Sequence, residues 1–373
     1  MKNIFDKIKI FCKNEAVLVA AGTAAVISAL FVRPDSTYIS YIDFRVLALL
    51  FCLMLVVAGF KDIGVFSHLA VRLVRLVSGT RTLTLILVFL CFFSGMIITN
   101  DVALITFVPF AIMILASSGK EHLMIPVIVL ETIAANLGSM LTPLGNPQNL
   151  YLYSAYEISL FSFIITMLPL TVLSLLLIVV FTFFIKNETV TVNDIDNPAK
   201  PHTKSVVFYI LLFLVCLLCV MRVISYYIML AVIFLAILIF NRKLFKNIDY
   251  LLLLTFVFFF IFVGNMQRIA AVRNLISSLI KGKEFIFSIV LCQFISNVPA
   301  AVLLSGFTEN VRSLLMGVNV GGLGTLIASL ASIISYRAYA GTKNARKGSY
   351  IKTFSIYNLI FLIILTLFSF IIQ

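Results

Sequence analysis

The sequence predicts an all-α polytopic membrane protein built from two inverted repeats, each with a re-entrant hairpin and a broken transmembrane helix. Three observations carry that prediction. Of 373 residues, 62% are hydrophobic and only 12% charged, with a mean hydropathy of +1.15. Two apolar arms near the C-terminal end are too short to cross a bilayer. Four clusters of Asn, Gly, Ser, Thr and Pro interrupt apolar runs, and they fall into two matching pairs. A crossing helix takes roughly 20 apolar residues for a core of about 30 Å, so the length allows about ten segments and little else.

In chain order, full spans are expected at 15–33 and 44–60. At 61–81, Val65, Leu69, Leu73 and Leu76 share a helical stripe while Arg72, Arg75 and Arg81 stay polar, which predicts an interfacial helix. Segments at 82–98 and 101–118 meet at Thr99, Asn100 and Asp101. A long segment at 123–150 is interrupted by Gly, Pro and Asn, and a span at 158–185 completes the first repeat, 1–185. A cytoplasmic connector, 186–204, holds the acidic patch Asp194 to Asp196 together with Pro198 and Pro201, and reads as solvated.

The second repeat, 205–373, opens with spans near 205–221, 223–241 and 249–267. A basic segment from Gln267 to Lys283 precedes arms at 284–296 and 298–307. At 1.5 Å per residue these reach about 20 and 15 Å, so neither crosses, and they form a hairpin with its tip at Ser296, Asn297, Val298 and Pro299. An interrupted segment at 310–336 and a span at 353–372 finish the chain. The first pair of arms is longer and is compatible with two full spans; the parity of crossings is the same either way.

The formal charge of +13 does not form a basic, aromatic-interleaved surface, so nucleic acid is not an expected partner. With the N-terminus in the cytoplasm, only Arg33, Arg45, Arg222, Arg268, Arg273, Lys281, Lys283 and Arg312 face outward, leaving the other twenty of the 28 basic residues inside. That bias predicts a multi-pass protein of the cytoplasmic membrane with an external C-terminus and oppositely entering hairpins. Arg268 and Arg273 either attract an anion or anchor the interfacial helix, the second being favoured. The six cysteines (Cys12, Cys52, Cys91, Cys216, Cys219, Cys292) and three histidines (His68, His122, His202) outline neither a metal site nor a disulfide framework. Cys216 and Cys219 read as packing residues of an apolar helix.

Polar residues at membrane depth mark ion and substrate paths. The first-repeat candidates are Thr99, Asn100, Asp101, Asn136, Gly138, Ser139, Thr142, Pro143, Gly145 and Asn146. Their second-repeat counterparts are Ser296, Asn297, Pro299, Asn319, Gly321, Gly322, Gly324 and Thr325. Each interruption frees backbone groups that hydrocarbon cannot solvate. Asn, Ser and Thr oxygens with freed carbonyls suit Na⁺, and half-helix N-termini suit an anion. Pro147 fits the first turn of a returning half-helix. Single kinks of this kind are common in membrane helices; four in matched pairs are not. Asp101 has no acidic counterpart at Val298, and is either a cation or proton ligand or a cap of helix-start amides. Glu131, in an apolar segment near Asn136, is a candidate proton carrier or an ion-pair partner.

These blocks, I-I-T-N-D-V-A-L (97–104), A-A-N-L-G-S-M-L-T-P-L-G-N-P-Q-N-L (134–150), I-S-N-V-P-A (295–300) and V-N-V-G-G-L-G-T (318–325), resemble the ion transporter superfamily. That superfamily takes in the citrate-transporter-like proteins, the divalent-anion sodium symporters, and the arsenite-efflux and sodium/proton antiporter branch. The likeness is especially close to a bacterial group of uncharacterised anion transporters. It implies a scaffold and a transport domain in each protomer, a homodimer, and elevator-like movement. In the symporters both tips carry Ser-Asn-Thr; here the third hydroxyl is absent from Thr99-Asn100-Asp101 and from Ser296-Asn297-Val298. The departure weighs against a dicarboxylate, keeps an Asn-based cation site, and draws the chain toward the antiporter and arsenite-efflux branch.

The expected function is secondary active transport of a small inorganic or organic anion, coupled to Na⁺ or H⁺, without an enzymatic activity or an organic cofactor. No phosphate-binding G-x-x-x-x-G-K-[ST] loop, HExxH or GxSxG motif is present. A sodium/proton antiporter or an arsenite-type oxyanion exporter is the nearest alternative, and an ion channel is the alternative of another class.

Overall fold

The computed structural model describes residues 15–75, 77–190 and 199–373. Lys2, Lys7, Lys9, Lys13, Cys12, Leu76, the Asp194 to Asp196 patch and Pro198 lie outside the described residues. Among those described, nine helical stretches are long and apolar enough to cross a membrane, and the chain is a multi-pass, all-α membrane protein.

Helix α1 (Ala16–Phe31) has 16 residues, fewer than the full span expected at 15–33, and is not among those nine stretches, because Pro34 disfavours helical backbone at Arg33. A short α2 (Thr37–Tyr41) leads to α3 (Phe44–Asp62), whose first turn is capped by Asp43 accepting from the Val46 amide at 2.9 Å. The amphipathic α4 (Val65–Val74) buries Ala70, Val71 and Val74 rather than the predicted leucine stripe. These smaller side chains let it lie close on α5 and α6, and Leu69 is left 42% exposed.

Next come α5 (Thr80–Ile98), α6 (Asn100–Ser117), α7 (Met124–Gly138), α8 (Pro147–Ala155) and α9 (Leu160–Phe183). The second half holds α10 (Thr203–Val220), α11 (Tyr226–Phe240), α12 (Tyr250–Arg268) and α13 (Ala270–Ile280). It closes with α14 (Glu284–Ile295), α15 (Asn297–Ser305), α16 (Val311–Val320), α17 (Leu330–Ala340) and α18 (Lys347–Ile372). Arms α5 and α6 have 19 and 18 residues, enough to cross; α14 and α15 have 12 and 9, too few.

Two packing groups emerge. In one, α1 lies along α12 while α3 holds α10 and α11. Asn265 of α12 donates to Ser28 Oγ at 2.9 Å and Tyr38 Oη at 2.8 Å, joining α12 to α1 and α2. Arg268, beyond it, pairs with Asp35 at 2.9 Å and so anchors a helix end. In the other group α7 is the hub: α5, α6, α9, α17 and α18 surround it, and it is buried along nearly its whole length. The α14–α15 pair packs on α16 and α8. The groups meet where α8 contacts α3 and α15 contacts α12.

Candidate ion and substrate site

The two hairpin tips adopt the same unusual backbone. Thr99, between α5 and α6, has φ 80° and ψ 147°; Ser296, between α14 and α15, has φ 76° and ψ 159°. Side-chain-bearing residues rarely take positive φ, and such strain persists only where the surroundings impose it. Here matched hydrogen bonds do so. The Asn100 amide donates to the Gly145 carbonyl at 3.1 Å, and the Asn297 amide to the Ala328 carbonyl at 3.0 Å. Each Asn then turns Oδ1 onto the next amide, Asp101 at 2.8 Å and Val298 at 2.9 Å, satisfying a helix-start donor with its own side chain.

Gly145 and Ala328 belong to the interruptions between α7 and α8 and between α16 and α17, and these are matched as well. Thr142 Oγ1 donates to the Met96 carbonyl at 2.5 Å, and Thr325 Oγ1 to the Gln293 carbonyl at 3.1 Å. Both carbonyls lie three residues before a tip. Gly138 and Gly321 let the broken helices press against α5 and α14: a Cβ on Gly138 would overlap the Phe92 backbone, and one on Gly321 would come within 3.0 Å of the Ile289 Cα. Phe92 and Ile289 each lie seven residues before a tip.

The interruptions are also tied to each other. Asn136 Oδ1 accepts from Asn100 Nδ2 at 2.9 Å and from Ser329 Oγ at 3.0 Å; Asn319 Nδ2 donates to Asn149 Oδ1 at 2.7 Å. Asn146 Nδ2 reaches Ser139 Oγ, whose proton goes to the Asn136 carbonyl. Within this buried network Asn146 Oδ1, Asn319 Oδ1 and Asn136 Nδ2 have no protein partner, nor have the two polar atoms of Gln148, buried on α8 next to Asn149 in sequence. Unsatisfied buried polar groups are costly in a membrane interior, and several on one network suit a site that completes its coordination with a bound species.

Beside the first tip lies a cavity of about 600 Å³, walled by Leu53, Met54, Val57 and Leu252 and reached by Thr99, Asp101, Asn146 and Pro147. Lys61, Asp62, Asn247 and Asp249 also line it. Two helix N-termini, those of α6 and α8, therefore border a space with three carboxylates against one ammonium. Asp249 caps α12 through the Leu252 amide at 2.9 Å, and Asp62 accepts from Asn241 at 3.0 Å, whereas Asp101 has no side-chain hydrogen-bond partner among the described residues. The second tip does not line this cavity. No cluster of His, Cys, Asp and Glu suited to a metal is found among the described residues, and the cavity is lined instead by Thr99, Asn146, Asn247 and the three aspartates.

Of the sequence-predicted residues, Asn100, Asn136, Ser139, Thr142, Gly145 and Asn146 join the first tip to the first interruption, with Pro143 and Gly138 buried beside them. Ser296, Asn297 and buried Pro299 form the second tip; a Cβ on Gly322 would stand 3.1 Å from Asn297 Nδ2. Gly324, at φ 106°, lies against the Gln293 side chain, and Thr325 is exposed. Glu131 is not at the site; it meets Cys91 inside the bundle. Sequence reasoning missed Ser329 and Gln293 as polar members, and Asp62 and Asp249 as cavity residues; Asn149 lay inside the polar run 134–150 but outside the candidate residues. Gln293 knits the second interruption, donating to the Gly321 and Leu323 carbonyls and accepting from the Thr325 amide. Its position in a short apolar arm was the available signal.

A family model described as citrate transporter matches residues 8–313. An uncharacterized transporter of Methanocaldococcus jannaschii is 34% identical over 329 residues, covering 88% of this chain and 90% of that protein. The inner membrane protein YbiR of Escherichia coli is 31% identical over 306 residues, 79% of this chain and 80% of that one. The silicon efflux transporter LSI3 of Oryza sativa is 32% identical over 138 residues, 37% of this chain and 28% of the rice protein. The coverage and the many apolar helices agree on a transport role, and the chain belongs to the citrate transporter family.

Proposed function

We propose that the chain is a secondary active transporter that moves a small anion across the cytoplasmic membrane, coupled to Na⁺ or H⁺ by an elevator-type motion. The observation that carries this reading is the buried Asn network at the crossing of the two broken helices, with unpartnered polar atoms next to the acid-bearing cavity. Asp101, Asp62 and Asp249 favour a cation in that cavity, and the N-termini of α6 and α8 favour an anion beside it. An anion entering alone meets two net negative charges; one entering with a cation does not. Binding of each thus favours binding of the other, which is the linkage that coupling requires.

The matched tip conformations and tip-to-carbonyl bonds support the inverted-repeat reading, with 1–185 and 205–373 as the repeats. The packing of α1, α3, α10, α11 and α12 apart from the α7-centred bundle supports a scaffold and a moving domain. The cavity reaches Lys61 and Asp249, residues placed on the cytoplasmic side by the charge bias, and so represents an inward-facing state.

The test is uptake of labelled anions into liposomes holding the purified protein, under an imposed Na⁺ or pH gradient. Saturable, gradient-driven uptake is expected; no gradient-driven flux of any inorganic or organic anion would overturn the anion reading. The excess of carboxylates over Lys61 favours one second reading, a sodium/proton antiporter. Dissipation of a pH gradient by Na⁺ alone, with no anion present, distinguishes the antiporter.

A further inference from the structure

α7 carries a single ionisable side chain, Glu131, and it is fully buried. Its Oε1 lies 3.7 Å from Cys91 Sγ of α5, positioned as acceptor of the thiol proton, and its Oε2 has no hydrogen-bond partner. Tyr350 of α18, also fully buried, faces Glu131 and Thr132. Around α7 these are the titratable groups that face the carboxyl. α9 has no ionisable side chain, and neither Asp101 on α6, Arg312 on α16 nor Arg337 on α17 makes an ion pair with it. Glu131 does not line the cavity at the first tip.

An ionised carboxylate with no counter-ion, one unsatisfied oxygen and a hydrocarbon surround is far more costly than the neutral acid. Yet Glu131 stands five residues, about 7.5 Å along the helix, from Asn136, whose Oδ1 joins the first tip to Ser329. We infer that Glu131 is a proton-binding site of the transport bundle, separate from the site at the tips, and that it exchanges its proton against the cation of the first-tip cavity, whose Asn146 is joined through Ser139 to Asn136. Losing the proton breaks the O–H bond of Glu131, leaves both electrons on the carboxylate and passes the proton to water. The arriving cation restores the charge balance of the bundle. The exchange step rests on the cation site proposed above; the proton site does not.

The test is infrared difference spectroscopy on the purified chain in lipid nanodiscs, titrated with pH and with NaCl, alongside proton release measured with a dye in weak buffer. A protonated-carboxyl band that is absent from E131Q is expected in the wild type, and NaCl is expected to diminish it and release protons from the wild type but not from E131Q. C91A should shift the same band, since the thiol donates to Oε1, and this arm stands even where E131Q fails to fold. A band unchanged in both variants overturns the proposal. A Glu131 band that titrates with pH but ignores NaCl upholds the proton site and overturns sodium as its exchange partner.

Discussion

Asn319, at the end of α16, donates through Nδ2 to Oδ1 of Asn149 on α8, 2.7 Å away and 170 residues earlier in the chain. A second bond between the two interruptions runs from Ser329 Oγ to Asn136 Oδ1 at 3.0 Å. Removing one partner leaves a buried polar group unpaired, at a cost of about 1–3 kcal/mol. N149A and N319A should each lower the melting temperature in detergent, and a double-mutant cycle should return a coupling of roughly 0.5–3 kcal/mol. Strict additivity would mean that the bond does not form.

N100A and N297A should each abolish transport while leaving insertion and a monodisperse chromatographic profile intact. Each Asn holds the first amide of its returning arm, and Asn100 also holds Asn136. Wild-type flux in both variants would remove the tips from the transport site.

Thr99 is β-branched at φ 80°, where the strain is of order 1–3 kcal/mol. T99G, free of that penalty, should be at least as heat-stable as the wild type, whereas T99P, with φ held near −65°, should not yield folded protein. Thermal melts followed by size-exclusion fluorescence measure both; a normally stable T99P would show that the tip is not formed as described.

Any Cβ at position 138 collides with the Phe92 backbone, and backbone cannot move aside as a flexible side chain does. Nothing lies within 4 Å of the corresponding position at Gly348. G138A should lose folded yield several-fold, and G348A should keep it; equal yields would refute the close crossing of α5 and α7.

Glu188, outside the spans, accepts from Lys120 Nζ at 2.7 Å and lies 3.5 Å from Lys186, with His122 3.3 Å away. The hydrogen bond from Lys120 foremost holds its carboxyl down, from 4.5 to about 2. A lowered folded value means stabilisation that is fully present above pH about 4.5 and lost as pH falls toward 2. E188Q should therefore melt earlier than the wild type at pH 7, with the gap narrowing below pH 4.5. A gap that widens on acidification would contradict the sign.

The spans, the short second hairpin and the paired interruptions were legible in the sequence because each rests on local quantities. α14 and α15 are too short to cross whatever they touch, and A-N-L-G-S-x-x-T beside V-N-V-G-G-x-x-T is visible without coordinates. Ser329 and Asn149 were harder to see. A serine or an asparagine on a helix is unremarkable until another helix, far away in sequence, brings it a partner. Glu131 was recognisable as a buried acid, but its pairing with Cys91 was not.

By itself the sequence determined that the chain lives in a bilayer and where its apolar runs must break, since the transfer of side chains and backbone out of water depends on local composition and length. Only the tertiary structure decided which broken ends meet. It set Asp62 and Asp249 across from Asp101, held both tips at positive φ and sealed Glu131 away from the cavity. Those outcomes depend on how helices pack around α7, through contacts between segments that no local pattern relates.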